Sequence, residues 1–273
     1  MGELRGLTHA DGGEIRRVLA LRPLTNIHVA SRVEKFGVDG IGNPLLGWYE
    51  GRHLLSMYSD GHTLQPVSAC QEATDAFARR AGHRKATSIT GARDETVALW
   101  KRLCEESFPQ WASPREVRDC QYIMKLDGPA HIVADPRVTA LGTRYLDPYF
   151  EAARAMYAEE VGIAPYDVQA YRGHVAGLMM RGMTYGLLDN DRVAFKVDVV
   201  ADASGVAQIG GVWLRPEFRG RGLSAPLLAG VANDLLTRWN TVTLYVNNYN
   251  TPAIASYTRI GFSTVDECAT VLY

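Results

Sequence analysis

The chain has 273 residues, 47% hydrophobic and 22% charged, and its 29 basic and 30 acidic side chains leave a formal net charge of -1. That is the composition of a soluble globular protein, with no cationic surplus to mark a nucleic-acid or membrane-surface partner. No apolar run approaches the roughly 20 residues that span a bilayer, and no signal-like region opens the sequence, so a cytoplasmic protein is expected.

In chain order, apolar periodicity predicts helices from about residues 12 and 24, and alternating segments predict strands at 45–49, 53–58 and 63–67. A helix over 70–82, a short strand at 87–90, a helix over 94–104 and a pair of strands within 115–125 complete the first half. Residues 127–137 carry two prolines and little periodicity. They mark a boundary that divides the chain into domains of residues 1–130 and 135–273. Beyond it the pattern predicts a strand, helices over 146–161 and 168–183, three strands, a helix, a strand over 241–246, a helix and two strands. The two halves run in nearly the same order, and residues 47–53 resemble the hairpin at 186–193, so the fold reads as internally duplicated. An α/β domain of this size can also show such an order without duplication. Cys70, Cys104, Cys120 and Cys268 form no C-x-x-C pair and have no His at metal-ligand spacing; reduced, mostly buried thiols and no metal are expected.

The segment Val212-Trp213-Leu214-Arg215-Pro216-Glu217-Phe218-Arg219-Gly220-Arg221-Gly222-Leu223-Ser224-Ala225 is an apolar strand entering a basic, glycine-rich turn that opens a helix. Leu227, Val231 and Leu235 recur four apart after it, the buried stripe of that helix. The glycines therefore precede a helix N-terminus, where unpaired N–H groups and the positive end of the macrodipole attract an anion. Without Cβ atoms Gly220 and Gly222 let phosphate oxygens approach the main chain, and Arg219 and Arg221 add positive charge. A nucleoside-triphosphate loop needs G-x-x-x-x-G-K-S/T, and no lysine follows either glycine. Gly220 to Ala225 does fit the dinucleotide fingerprint G-x-G-x-x-A, but the acidic residue required roughly 20 positions on is missing. The strand over 241–246 leads into Asn247 and Asn248 instead. An ordinary glycine-rich turn is the remaining, non-binding reading.

A second block runs from Leu244 through Asn250, Thr251, Pro252 and Tyr257 to Gly261 and Phe262. Thr251 suits a helix N-cap and Pro252 the first helical position; Ala253, Ile254 and Tyr257 then share a face, and Gly261 can end the helix in a left-handed conformation. On its own Tyr257 reads as a packed core tyrosine. Together, however, the two blocks resemble the GNAT superfamily of acyl-CoA-dependent N-acyltransferases. Arg219 to Ser224 matches its Q/R-x-x-G-x-G/A signature, with Ser224 at the last small position, and Leu244 to Phe262 matches its strand, Asn, helix, Tyr, Gly-Phe block. The resemblance covers residues 135–273, with the specific motifs confined to 210–262.

The resemblance implies an α/β fold of two GNAT-like lobes, each a mixed twisted sheet flanked by helices, with the coenzyme A motif only in the C-terminal lobe. That tandem arrangement resembles the mycothiol synthase family. It further implies acetyl-CoA as cosubstrate and direct transfer, within a ternary complex, to a primary amine of a small molecule or peptide. The oxyanion formed on the way needs positioned backbone donors. By the same resemblance the main chain of Val212, Trp213 and Leu214 binds pantetheine and polarises the carbonyl. The turn of Arg219, Gly220, Arg221, Gly222, Leu223, Ser224 and Ala225 holds the diphosphate, Asn250 contacts the coenzyme, and Tyr257 protonates the departing thiolate.

The general base is where this sequence departs from the pattern. Gln208 and Tyr245 stand where some superfamily members carry a Glu. On the strand over 193–200, Lys196 and Asp198 share the polar face, which either lines a cleft or meets solvent; Asp198 is the candidate base, with Glu159, Glu160 and a water relay as alternatives. Tyr166, Tyr171, His174 and Met179 are candidates to line the acceptor side, or else ordinary packing. The first lobe enters its helix through Thr63 to Cys70 without glycine or arginine and has Trp100 in the place of Tyr257, so it is expected to be silent. Two alternatives stay open. The missing carboxylates suit a coenzyme-A-binding regulatory protein with little chemistry, and another acyl or aminoacyl group could replace acetyl.

Overall fold

The structure is a computed structural model that describes residues 2–38, 44–82, 84–106, 109–162 and 167–273, the side chain of Val161 excepted. The chain divides into two compact units. One comprises residues 1–123, 245–250 and 264–273, and the other residues 124–244 and 251–263. The division differs from a single cut near residue 130, because two late segments belong to the first unit.

In the first unit β1 (Glu3–Gly6), β2 (Leu45–Glu50), β3 (His53–Asp60) and β4 (Thr63–Val67) pair antiparallel in sequence order. β5 (Ser88–Ala92) joins β4 in parallel through α3 (Gln71–Ala81), and β12 (Ser263–Leu272) pairs antiparallel with β5. α1 (Gly12–Leu19) and α2 (Ile27–Phe36) bury Ile15, Val18 and Val29 against Leu54 and Met57. α3 and α4 (Arg93–Glu105) bury Phe77, Leu99 and Leu103 around Tyr58, whose ring stacks on Phe77 at 4.9 Å. Two expectations are corrected here. Residues 115–125 form one strand, β6 (Glu116–Leu126), and the chain ends in one strand, β12, because neither run contains a glycine or proline to turn it. β1 was not foreseen, since four residues are too few to show a period.

The second unit begins in the last residues of β6 and continues with β7 (Thr139–Ala140), α5 (Leu146–Val161), α6 (Val168–Met180), β8 (Thr184–Asp189), β9 (Arg192–Ala203) and β10 (Val206–Leu214). α7 (Ser224–Leu235) crosses over to β11 (Thr241–Asn247), and α8 (Thr251–Ile260) follows. β7, β8, β9 and β10 pair antiparallel in that order, while β10 and β11 are parallel. The β8–β9 turn places Asn190 at φ 47° and Asp191 at φ 61°, the doubly left-handed geometry of a tight hairpin that Asn and Asp tolerate. α6 stops at Met180, short of the expected residue 183, where Gly182 takes φ 67° and its N–H returns to the carbonyl of Met179. Tyr149, Phe150, Met156, Val175, Met179 and Trp213 form the core that α5 and α6 share with the sheet, and α7 buries Leu227, Leu228, Val231 and Leu235. No helix among the described residues is long and apolar enough to cross a membrane.

Candidate active site

The ladder between β9 and β10 breaks at a defined place. Gly210 lies opposite Asp198 and Trp213 opposite Lys196, so Gly211 and Val212 together oppose Val197 alone. This is a β-bulge, which leaves main-chain groups outside the regular ladder and re-aims the strand. Gly211 makes it possible in two ways. Its φ is 59°, and a Cβ there would lie 2.9 Å from Lys196 Nζ and 3.0 Å from both Asp198 Oδ2 and Met156 Sδ.

Those neighbours are a buried clasp. Lys196 is fully buried; its Nζ donates to Asp198 Oδ2 at 2.6 Å and to the Gly211 carbonyl at 3.1 Å, so the ammonium ties β9 to the bulge. Asp198, 9% exposed, accepts a second hydrogen bond on Oδ1 from the Tyr149 hydroxyl at 2.6 Å. Burial and the adjacent Asp198 carboxylate push the Tyr149 hydroxyl well above the ordinary phenol range, which keeps it a donor. The polar face of β9 therefore does not meet solvent, and both oxygens of Asp198 are engaged.

On its other side β10 pairs with β11 at only three registered positions, Val206–Thr241, Ala207–Val242 and Gln208–Thr243, although β10 continues to Leu214. Gln208 sits at the end of this ladder, 3% exposed, with an Oε1 that accepts no hydrogen bond among the described residues. It is a buried acceptor awaiting a donor.

The strand then delivers the glycine turn. Gly220 and Gly222 adopt φ 72° and 70°, with Arg219 extended before them and Leu223 right-handed after them, an alternation in the sign of φ like that of anion-binding nests. A Cβ on either glycine would meet nothing within 4 Å, so conformation rather than space demands glycine. Among the described residues no N–H of 220–225 donates to a main-chain carbonyl, and α7 starts at Ser224. Leu223 and Ser224 are half-buried and Ala225 is buried, while Arg221 is exposed and lies 5.6 Å from the Phe218 ring centre. Arg219 is not a free cation: Nε donates to the Leu214 carbonyl at 2.7 Å and Nη2 to Glu159 Oε2 at 2.7 Å. The other oxygen of Glu159 accepts from Trp213 Nε1 at 3.2 Å. Sequence reasoning missed this bridge, because nothing in the spacing links residue 159 to 213 and 219. Val212 and Leu214 are half-buried, whereas Trp213 is a core side chain.

Tyr257 lies on α8, 9% exposed, with its ring centre 6.2 Å from that of Phe262. Burial, and secondarily the charge of Glu160, push its hydroxyl up to about 12, so the phenol is held in its protonated form. Gly261 ends α8 at φ 116°, and the Phe262 N–H donates back to the Tyr257 carbonyl at 3.0 Å. Asn250 falls in the segment assigned to the first unit, where its N–H donates to the Asn247 carbonyl at 2.9 Å. Tyr171 bonds the Ala153 carbonyl at 3.3 Å and packs on Phe150 and Tyr157, and Met179 is core; Tyr166 lies outside the described residues. Among the described residues no group of three or more His, Cys, Asp or Glu could hold a metal. Cys120 and Cys268 are buried, and Cys70 and Cys104 half-buried.

The equivalent turn of the first unit is built differently. Between β4 and α3 the positive φ falls on Ser68, at 54°, and the Cys70 N–H already donates to Ser56 Oγ at 3.3 Å. Glu95 of α4 is buried against the same turn, where the N–H groups of Ala69 and Ser68 favour its ionised form and burial opposes it more strongly, holding its carboxyl at about 7. A side chain of the protein thus stands where the second unit leaves N–H groups open. Trp100, in the position of Tyr257, donates to the Trp111 carbonyl at 3.1 Å.

Residues 184–271 match the family described as FR47-like protein, and residues 43–149 match a domain of unknown function, DUF4081. A mycothiol acetyltransferase of Corynebacterium aurimucosum is 44% identical over 57 residues, a match that spans 20% of this chain and only 19% of that relative. Solved structures align over nearly the whole chain at low identity. An acetyltransferase of the GNAT family from Colwellia psychrerythraea covers 99% of both chains at 13% identity and a TM-score of 0.60. A GCN5-related N-acetyltransferase from Sphaerobacter thermophilus covers 99% of this chain and 94% of its own at 16% identity and 0.63. A tandem GNAT protein from the clavulanic acid biosynthesis pathway covers 100% and 98% at 15% identity and 0.55. The architecture is that of the GNAT acyl-CoA N-acyltransferase fold, in its tandem form.

Proposed function

We propose, from a chain that carries the tandem GNAT fold, that the protein is an acetyl-CoA-dependent N-acetyltransferase acting on a primary amine by direct transfer. One observation supports this most: a single strand carries the bulge at Gly211–Val212 and runs straight into a nest of open N–H groups at 220–225. The nest fits a diphosphate, because its donors lack main-chain partners and its two left-handed glycines leave the approach clear. The main chain of Val212 to Leu214 would hold the pantetheine arm, with Arg221 near the phosphates. When bound, the coenzyme supplies an acyl group activated as a thioester. The chain's own residues do the rest. The bulge presents main-chain donors held rigid by Lys196, Tyr257 holds a proton on a buried phenol, and Gln208 Oε1 offers an acceptor to an amine N–H or a water. Asp198 enters as the partner that fixes Lys196; with both oxygens engaged it fits the role of base less well than a relay through water.

A second reading, a coenzyme-A-binding regulatory protein, is favoured by that same engagement of Asp198 and by the absence of a carboxylate at Gln208. Tyr257→Phe separates the two. For an acetyltransferase, release of free thiol in the presence of acceptor amine falls by about 100-fold, in the range of general acid catalysis, while coenzyme affinity by calorimetry is unchanged. Unchanged turnover would remove Tyr257 from the chemistry, and a wild-type protein that binds acetyl-CoA but acetylates no amine would establish the regulatory reading.

A further inference from the structure

Glu159, in the last turn of α5, joins three parts of the second unit. Its Oε1 accepts from Trp213 Nε1 at 3.2 Å and its Oε2 from Arg219 Nη2 at 2.7 Å, while Arg219 Nε donates to the Leu214 carbonyl at 2.7 Å. The two ends of this bridge differ. Trp213 is 7% exposed and packs in the core with Tyr149 and Met156, so the indole end is anchored. The Arg219 and Glu159 side chains are 45% and 42% exposed, and an ion pair so open to water contributes little and exchanges readily. The pair of Arg215 with Asp189 is the contrast: its guanidinium is buried, and separating it would strand a charge away from water.

The position of Arg219 gives that exchange a direction. The residue immediately precedes Gly220, the first left-handed glycine of the turn, yet its guanidinium is bound back along β10, on the Leu214 carbonyl and the end of α5. A diphosphate held at 220–225 carries more than one negative charge and offers the guanidinium paired oxygens, against the single carboxylate oxygen it bonds here. Glu159 also stands at the C-terminal end of α5, where the helix dipole disfavours a carboxylate and Arg219 offsets the repulsion. Phosphate and Glu159 therefore compete for one cation. We propose that Glu159 is a built-in competitor of the coenzyme: it holds Arg219 off the glycine turn and yields it to the diphosphate, so that coenzyme binding cuts the tie between α5 and the turn and leaves Glu159 on Trp213 alone. The exchange presupposes the coenzyme A reading of the turn and regulates that same site. It sets the affinity below what the turn and a free Arg219 would give, and it releases the end of α5 only when the coenzyme is in place.

Calorimetric titration of the full chain with coenzyme A, in wild type, Glu159→Gln, Arg219→Gln and the double variant, tests the exchange. Both substitutions fall on exposed side chains, and the Glu159→Gln side chain can still accept the Trp213 N–H. Glu159→Gln should tighten binding by about two- to fivefold, the range of an exposed ion pair, and most of that gain should vanish in the Arg219→Gln background. A brace that orders the turn predicts the opposite sign, so unchanged or weakened binding in Glu159→Gln would overturn the exchange. An equal gain with and without Arg219 would overturn it too, as a general effect of removing a negative charge. Failure of the wild type and of every variant to bind coenzyme A would overturn the coenzyme A reading of the turn and the exchange with it, whereas binding without coupling between Glu159 and Arg219 would remove the exchange alone.

Discussion

Glu95→Gln should make the protein more stable at alkaline pH and almost unchanged at acid pH. Glu95 is 8% exposed, and burial holds its carboxyl at about 7 instead of the usual 4.5. A carboxyl raised in the folded state binds its proton more tightly there than in the unfolded chain. Its contribution to stability is fully present below pH 4.5 and is lost as the pH rises through about 7. The difference corresponds to about 3 kcal/mol. Gln keeps the shape and stays neutral at every pH, and the attraction of the ionised carboxyl to the N–H groups of Ser68 and Ala69 is already contained in that difference. Above pH 8 the variant should therefore exceed the wild type by about 3 kcal/mol, and near pH 4.5 the two should agree within about 1 kcal/mol. Urea unfolding of both proteins from pH 4.5 to 9 measures this directly. Parallel pH profiles for the two proteins would refute the reasoning and show that Glu95 stays ionised beside its turn.

Gly220→Ala and Gly222→Ala each force a side chain into a left-handed conformation with free space around it; each should weaken coenzyme A binding several-fold, read by calorimetry, and cost about 1 kcal/mol of stability. Lys196→Met leaves Asp198 buried without its cation and should cost about 3–5 kcal/mol in urea unfolding, whereas the pair Lys196→Met with Asp198→Leu should recover a large part of that loss. The double variant should still turn over more slowly than wild type, because the tie to the Gly211 carbonyl is gone. Glu159→Gln releases Arg219 from its ion pair, and coenzyme A affinity should rise and become more salt-dependent, checked by titration at two ionic strengths.

Local signals carried the reading of the second unit. The alternation in β9, the stripe of α7, the Asn-Asp hairpin and the two left-handed glycines all act over a few residues, and each stands where its pattern places it. What the sequence could not show is contact between residues far apart. Lys196 reads as half of a solvated or cleft-lining face, yet it is buried, and the bulge at Gly211 on the neighbouring strand offers its carbonyl to the ammonium. Arg219 read as a phosphate-facing cation, but Glu159, 60 positions earlier, holds it in the structure. Glu95 carried no motif at all. Its meaning comes only from burial against Ser68 and Ala69.

The pairing of β12 with β5 sets Thr90 beside Ala269, residues 179 positions apart. A nascent chain therefore cannot finish its first unit while that unit alone has been made. β5 waits with one edge bare until nearly all of the second unit has been synthesised, and through that interval the exposed edge is open to pairing with another chain. Cutting the molecule near residue 130 would make the wait permanent: one piece would keep an unpaired edge and the other a strand with nothing to join. The first lobe is thus completed only after the chain of the second has been made.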